Sequence, residues 1–180
     1  MWEPLSAWMA ALLMVSALSG STTRSRVPTE HRDAVCARLV EHVGVKQVAK
    51  RDKSRPDDDP GFSEVCMRVE LEARRQDLDP EIAVAVAYGE SGMRWSPQAS
   101  KRFIGPMQVG RRWCKAPVQG CIPDGVGYLV RWRAKSSSWR EALWGYVGGD
   151  TRGLSAKQRA RKRKHVKRVQ DLVEALKKKR

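Results

Sequence analysis

The sequence predicts an all-α domain, on three observations. Apolar residues recur at the helical period in successive segments, and no segment shows the alternation of a strand. One segment opens with a full set of helix-start signals: Asp79 at the N-cap, Pro80 in the first helical position, and Glu81 near the positive end of the peptide dipole.

Taken in order, the first predicted helix runs from Thr29 to Val48, where Val35, Leu39, Val40, Val43 and Val48 sit near helical spacing. Lys50 to Pro60 has no apolar residue and two prolines, the composition of a solvated loop. Its aspartates lack the Gly and Glu of a calcium loop, so no metal is expected. Phe62 to Gln76 reads as a second helix with Ser63 as N-cap. The third runs from Pro80 to about Glu90, where Gly89, Ser91 and Gly92 mark its end. Pro106 to Trp113 predicts a short helix, and Asp124 to Ala134 and Trp139 to Tyr146 two more. From Ser155 to Arg180 a strongly basic helix carries one apolar stripe of Val166, Val169, Leu172, Val173 and Leu176.

Ala7 to Leu18 is an uncharged apolar run of signal-peptide length, followed by Ala17-Leu18-Ser19 before Gly20 as a small-residue cleavage site. Its leading residues carry Glu3 and no Lys or Arg, which leaves a buried N-terminal helix as the alternative. Ser21 stands where a lipoprotein would have its cysteine, so lipidation is not expected. The expected organisation is a signal peptide over 1–20, an N-terminal helix and charged loop over 21–61, and a catalytic domain over 62–180 that ends in the basic helix. Cys36, Cys66, Cys114 and Cys121 have no CxxC spacing, which disfavours zinc. In an oxidising compartment Cys36 is expected to pair with Cys66 and Cys114 with Cys121, although four cysteines permit three connectivities.

A formal net charge of +15 over 180 residues implies an anionic partner: nucleic acid, a membrane surface or an acidic wall polymer. Export favours the last two, reached through the basic C-terminal helix, over a nucleic acid bound by Arg159 to Arg168 and Lys177 to Arg180.

Glu90 carries the functional argument. At 100° per residue it lies about 20° from Ala83 and about 40° from Val86 on a helix, so it shares the apolar face. A carboxylate there loses hydration and faces the negative end of its own helix, which favours the protonated form that can donate to a leaving oxygen. An exposed C-terminal Glu would show the same spacing.

Glu90-Ser91-Gly92, then Gly105-Pro106-Met107-Gln108, then Tyr146 before Gly148-Gly149 resemble the lytic transglycosylase and goose-type lysozyme pattern of the lysozyme-like superfamily. Leu78-Asp79-Pro80, Gly125 with Tyr128-Leu129, Ala142-Leu143 and His165-Val166 with Val169 extend the resemblance, in order, over roughly Arg75 to Leu176. It implies a lysozyme-like helical domain with a catalytic cleft. In that cleft Glu90 would be acid and then base, and Ser91 would orient its carboxyl or the substrate. Gly105 would let the sugar approach, Met107 would line the wall, Gln108 would bond an N-acetyl or hydroxyl group, and Tyr146 would hold Glu90 or the substrate.

The implied reaction cleaves the bond between N-acetylmuramic acid and N-acetylglucosamine in peptidoglycan. Glu90 protonates the glycosidic oxygen and then takes a proton from the muramyl 6-hydroxyl, which attacks its own anomeric carbon to give a 1,6-anhydro product. No cofactor or metal is needed, and a monomer is expected. The alternative is a goose-type hydrolase using water, for which Asp124 and Asp150 are the nearest second acids, each also explicable as a cap or turn residue. Three departures stand out: Val147 where the family usually has Asn, Arg102-Phe103 where it usually has Gly-Ala, and the Cys114 to Cys121 stretch, which lies outside the pattern.

Overall fold

The computed structural model describes residues 35–95, 102–115, 120–149 and 152–179, which all fall in one compact unit, Asp33–Arg180. The predicted signal segment, Thr29, Asp150 and Arg180 lie outside the described residues. Within those described, the fold is mainly α: seven α-helices and a single hairpin of two two-residue strands. No helix among the described residues is long and apolar enough to cross a membrane.

The first predicted helix breaks. α1 (Val35–Val43) ends before Gly44, whose φ of +93° turns the chain into α2 (Val45–Lys53). Helix therefore extends into the stretch expected to be loop, because its charged side chains are engaged rather than solvated. Arg51 donates to the Gly92 carbonyl at 2.8 Å, and Asp52 Oδ1 accepts the Phe62 amide at 2.8 Å. That second bond also corrects a cap: α3 (Phe62–Arg75) begins after Gly61, with Asp52 rather than Ser63 satisfying its first amide.

α4 (Pro80–Ser91) forms where the start signals placed it, with the Asp79 carboxylate accepting the Glu81 amide and Gly92 closing the helix in the left-handed conformation. It is apolar all round, and Ile82 to Ala87 are buried, so it is the central helix of the core. α3 and α7 (Ala156–Lys177) pack on it, and α1 reaches α3, α4 and α7. Gly89 is what lets α7 approach: a Cβ there would lie 2.5 Å from Val169 Cγ2. Glu81, predicted only as a dipole-facing residue, is completely buried and held by Arg38 at 2.7 Å. The same Arg38 donates to the Leu176 carbonyl, so one guanidinium joins α1, α4 and α7.

The predicted short helix over Pro106 to Trp113 is instead a hairpin. β1 (Phe103–Ile104) pairs antiparallel with β2 (Val109–Gly110), with Phe103 opposite Gly110, and a 3-10 turn follows over Arg111–Trp113. Gly105 and Gln108 both take positive φ, +73° and +51°, which reverses the chain where a helix would have continued. α5 (Ile122–Ala134) and α6 (Trp139–Leu143) then form the second side of the domain. The segment predicted as helix to Tyr146 widens after Leu143 into a π turn, Trp144–Gly148. α7 opens with a complete capping box between Ser155 and Gln158, and its predicted stripe is buried.

Cys36 pairs with Cys66, joining α1 to α3, and Cys114 pairs with Cys121, the connectivity expected from the sequence. Two disulfides fit an oxidising compartment.

Candidate active site

Glu90 stands in the last turn of α4, where the buried core helix reaches the surface, and its side chain is 19% exposed. It lines a groove of about 890 Å³ together with Gln108, Tyr128, Tyr146, Val147 and Lys162. The groove is therefore walled by the end of α4, the hairpin and its 3-10 turn, α5, the π turn and the start of α7.

Each wall is positioned by a distinct local device. The hairpin turn brings Gln108 round in the left-handed region, a strained state for a side chain with a Cβ, and its amide donates to the Gly105 carbonyl at 3.1 Å. The π turn carries Tyr146, whose hydroxyl donates to the Met107 carbonyl at 2.9 Å and so ties this wall to the hairpin. Burial of the phenol pushes Tyr146 far above the ordinary tyrosine range, with the nearby negative charge of Glu90 and Tyr128 acting in the same direction, so it remains a hydrogen-bond donor. The Tyr128 ring lies 5.4 Å from that of Tyr146, which fixes the phenol from the α5 side.

The structure thus brings three of the six sequence-assigned site residues, Glu90, Gln108 and Tyr146, to one groove. The other three have different surroundings. The Ser91 hydroxyl donates to the Ala87 carbonyl and accepts the Arg94 amide, closing the helix end, and the residue lines a neighbouring basic cleft of about 690 Å³. Met107 is completely buried in the core, and its contribution to the groove is the carbonyl that holds Tyr146. At Gly105 the close neighbour is internal: a Cβ would lie 1.7 Å from the Gly120 carbonyl oxygen, so chain packing already requires glycine there.

Two residues absent from the sequence assignment come from α7: Lys162 lines this groove, and His165 lines the neighbouring cleft with Ser91. His165 Nε2 lies 3.4 Å from Glu90 Oε1, an ion pair whenever the imidazole is protonated, and Lys162 Nζ donates to the Gly148 carbonyl at the edge of the π turn. A signal for both existed. Val169, His165 and Lys162 are spaced four and three apart, so the buried stripe of α7, continued toward its N-terminus, runs through these two polar residues.

The electrostatics are one-sided. Arg102, Arg111, Arg112 and Lys162 line the groove with Glu90, which is the one carboxylate among the described lining residues. Asp124, weighed as a second acid, lies elsewhere, its carboxylate accepting the Lys115 amide at 2.7 Å. The arrangement is a groove of mixed apolar and basic lining, with a single acid among the described lining residues, a nearby imidazole, a fixed phenol and an amide. It suits proton transfer to a neutral or anionic ligand.

Neither protein-family models, nor curated proteins, nor solved structures give a match to this chain.

Proposed function

We propose that this chain is an exported peptidoglycan lytic transglycosylase that cleaves the glycosidic bond between N-acetylmuramic acid and N-acetylglucosamine. The observation that carries the reading is the position of Glu90: a partly buried acid at the end of the central core helix, in a groove it shares with Gln108 and Tyr146.

In the proposed reaction Glu90 donates its proton to the glycosidic oxygen as that bond breaks. The resulting carboxylate then takes the proton of the muramyl 6-hydroxyl, whose oxygen bonds to the anomeric carbon of the same sugar. Acid is regenerated, no water is consumed, and the product is a 1,6-anhydro-muramyl end. Confinement of the hydroxyl to the same ring replaces an activated external nucleophile. Supporting this route over a two-carboxylate hydrolase is the placement of Asp124, whose carboxylate is committed to the Lys115 amide outside the groove. Gln108 would orient an N-acetyl or hydroxyl group and Tyr146 the reacting sugar.

The exported location rests on the two disulfides together with the sequence reading of residues 1–20. The exposed basic face of α7 would draw the enzyme to anionic wall polymers or a membrane surface.

The test is digestion of purified peptidoglycan by the wild type and by Glu90→Gln, with the masses of released fragments recorded. Loss of at least about 100-fold in rate is expected for the variant, the scale of general acid catalysis. Wild-type fragments should be one water lighter than hydrolysed ones. Equal rates would end the assignment, and fragments with a free reducing end would make the enzyme a goose-type hydrolase.

A further inference from the structure

The rim of the Glu90 groove includes the 3-10 turn Arg111–Trp113, which none of the motifs that carry the resemblance contains. Trp113 is 57% exposed and Phe103 45% exposed, and both line the groove. A large indole left in water is unfavourable by the apolar area it fails to bury, and an isolated surface loop would ordinarily fold it inward.

Here the backbone on both sides of the ring is tied down. The Arg111 amide donates to the Arg102 carbonyl at 2.8 Å, Cys114 is bonded to Cys121 immediately before α5, and the Lys115 amide donates to Asp124 at 2.7 Å. The Arg112 guanidinium lies 5.1 Å from the ring centre, which orients the indole further. An exposed, oriented aromatic plane on a groove that also presents Glu90, Gln108 and several basic side chains has the chemistry of a carbohydrate platform. The C–H bonds on one face of a pyranose ring pack against the π surface while its hydroxyls remain hydrogen-bonded to water or to the groove.

We infer that Trp113 is a stacking platform for an N-acetylhexosamine ring of the glycan strand, and that the Cys114–Cys121 bond is the staple that holds the platform against the groove. The inference rests on reading the groove as a glycan cleft, and it adds a binding position to which no sequence motif pointed. The staple makes Trp113 a residue whose contribution depends on the oxidised state of a disulfide that crosses only seven residues.

The test uses full-length Glu90→Gln protein, so that binding is measured without cleavage, and a neutral N-acetylglucosamine hexamer, so that the arginines cannot supply affinity through charge. Calorimetric titration should show the hexamer binding about tenfold more weakly to Glu90→Gln/Trp113→Ala, a change of ~1.4 kcal/mol, with most affinity kept by Glu90→Gln/Trp113→Phe. Cys114→Ser/Cys121→Ser in the same background should lose affinity similarly while its circular dichroism is unchanged. Equal affinity with and without the indole would overturn the inference, as would no detectable hexamer binding by the parent. It would also fall if a single-stranded oligonucleotide bound more tightly than the hexamer at physiological salt and in a Trp113-dependent way. Failure of the catalytic reading is distinguishable: Glu90→Gln would then cleave peptidoglycan like wild type, whatever the hexamer titration gives.

Discussion

Glu90 acquires its neighbours from distant parts of the chain, and His165 on α7 stands 3.4 Å from its carboxyl. An imidazole 3.4 Å from a carboxyl oxygen, when protonated, stabilises the carboxylate formed after proton donation. On this geometry His165→Gln should lower kcat by about tenfold, a loss of ~1.4 kcal/mol in transition-state stabilisation, with KM and thermal unfolding little changed. A steady-state assay on soluble glycan fragments would read it; an unaltered kcat would make His165 a bystander. At this scale the sequence was informative about Glu90, Gln108 and Tyr146, each of which reaches the groove. His165 was legible only as a continuation of the α7 stripe, since nothing in that spacing says that its partner is Glu90. Gly105 was legible as a position that tolerates no side chain. The reason was not, since the carbonyl of Gly120 that occupies the space comes from a separate part of the chain.

The elements that hold the site were legible in proportion to how local their causes are. α4 was readable at both ends, because its N-cap, first-turn proline and terminal glycine act within a few residues. The hairpin was not, since it depends on Gln108 accepting a left-handed conformation that its residue type does not advertise. The second half of α2 was missed because its charged residues are held by partners at the start of α3 and the end of α4. The start of α4 also carries a pH dependence. Partial burial of the Asp79 carboxyl opposes ionisation, but hydrogen bonds from Glu81 and Lys177 and the charge of Lys177 hold its pKa below the ordinary value of 3.8. A carboxyl whose folded pKa is depressed stabilises the fold above its unfolded value, and the contribution disappears as pH falls through the folded value. Asp79→Ala should therefore cost about 1 kcal/mol at neutral pH, the usual magnitude for an N-cap. The gap between the unfolding curves of variant and wild type should close in acid below about pH 4. A gap that persisted undiminished into strong acid would show that the carboxylate charge is not what stabilises this end of the helix.

For the molecule as a whole, the all-α class followed from period and caps alone, and the disulfide connectivity followed the nearest-neighbour expectation. The joint burial of α1 with α3, α4 and α7 did not, because it turns on Arg38 reaching Glu81 and Leu176 across the core. Helices on either side of the predicted boundary at residue 61 belong to the same unit. The Cys36–Cys66 bond closes a 30-residue loop around the α1, α2 and α3 arrangement, for which chain entropy gives about 3–4 kcal/mol of stabilisation. Chemical denaturation of Cys36→Ala/Cys66→Ala against wild type should show a loss of that size; a difference below about 1 kcal/mol would mean that packing alone closes the loop.

The contact at Gly89 couples the site to the order in which the chain is made. Because α7 rests directly on that glycine, the imidazole beside Glu90 and the lysine at the groove's edge belong to polypeptide made well after the acid itself. A nascent chain with α3 already folded against α4 would carry its acid with one flank bare, and only docking of α7 would finish the enclosure.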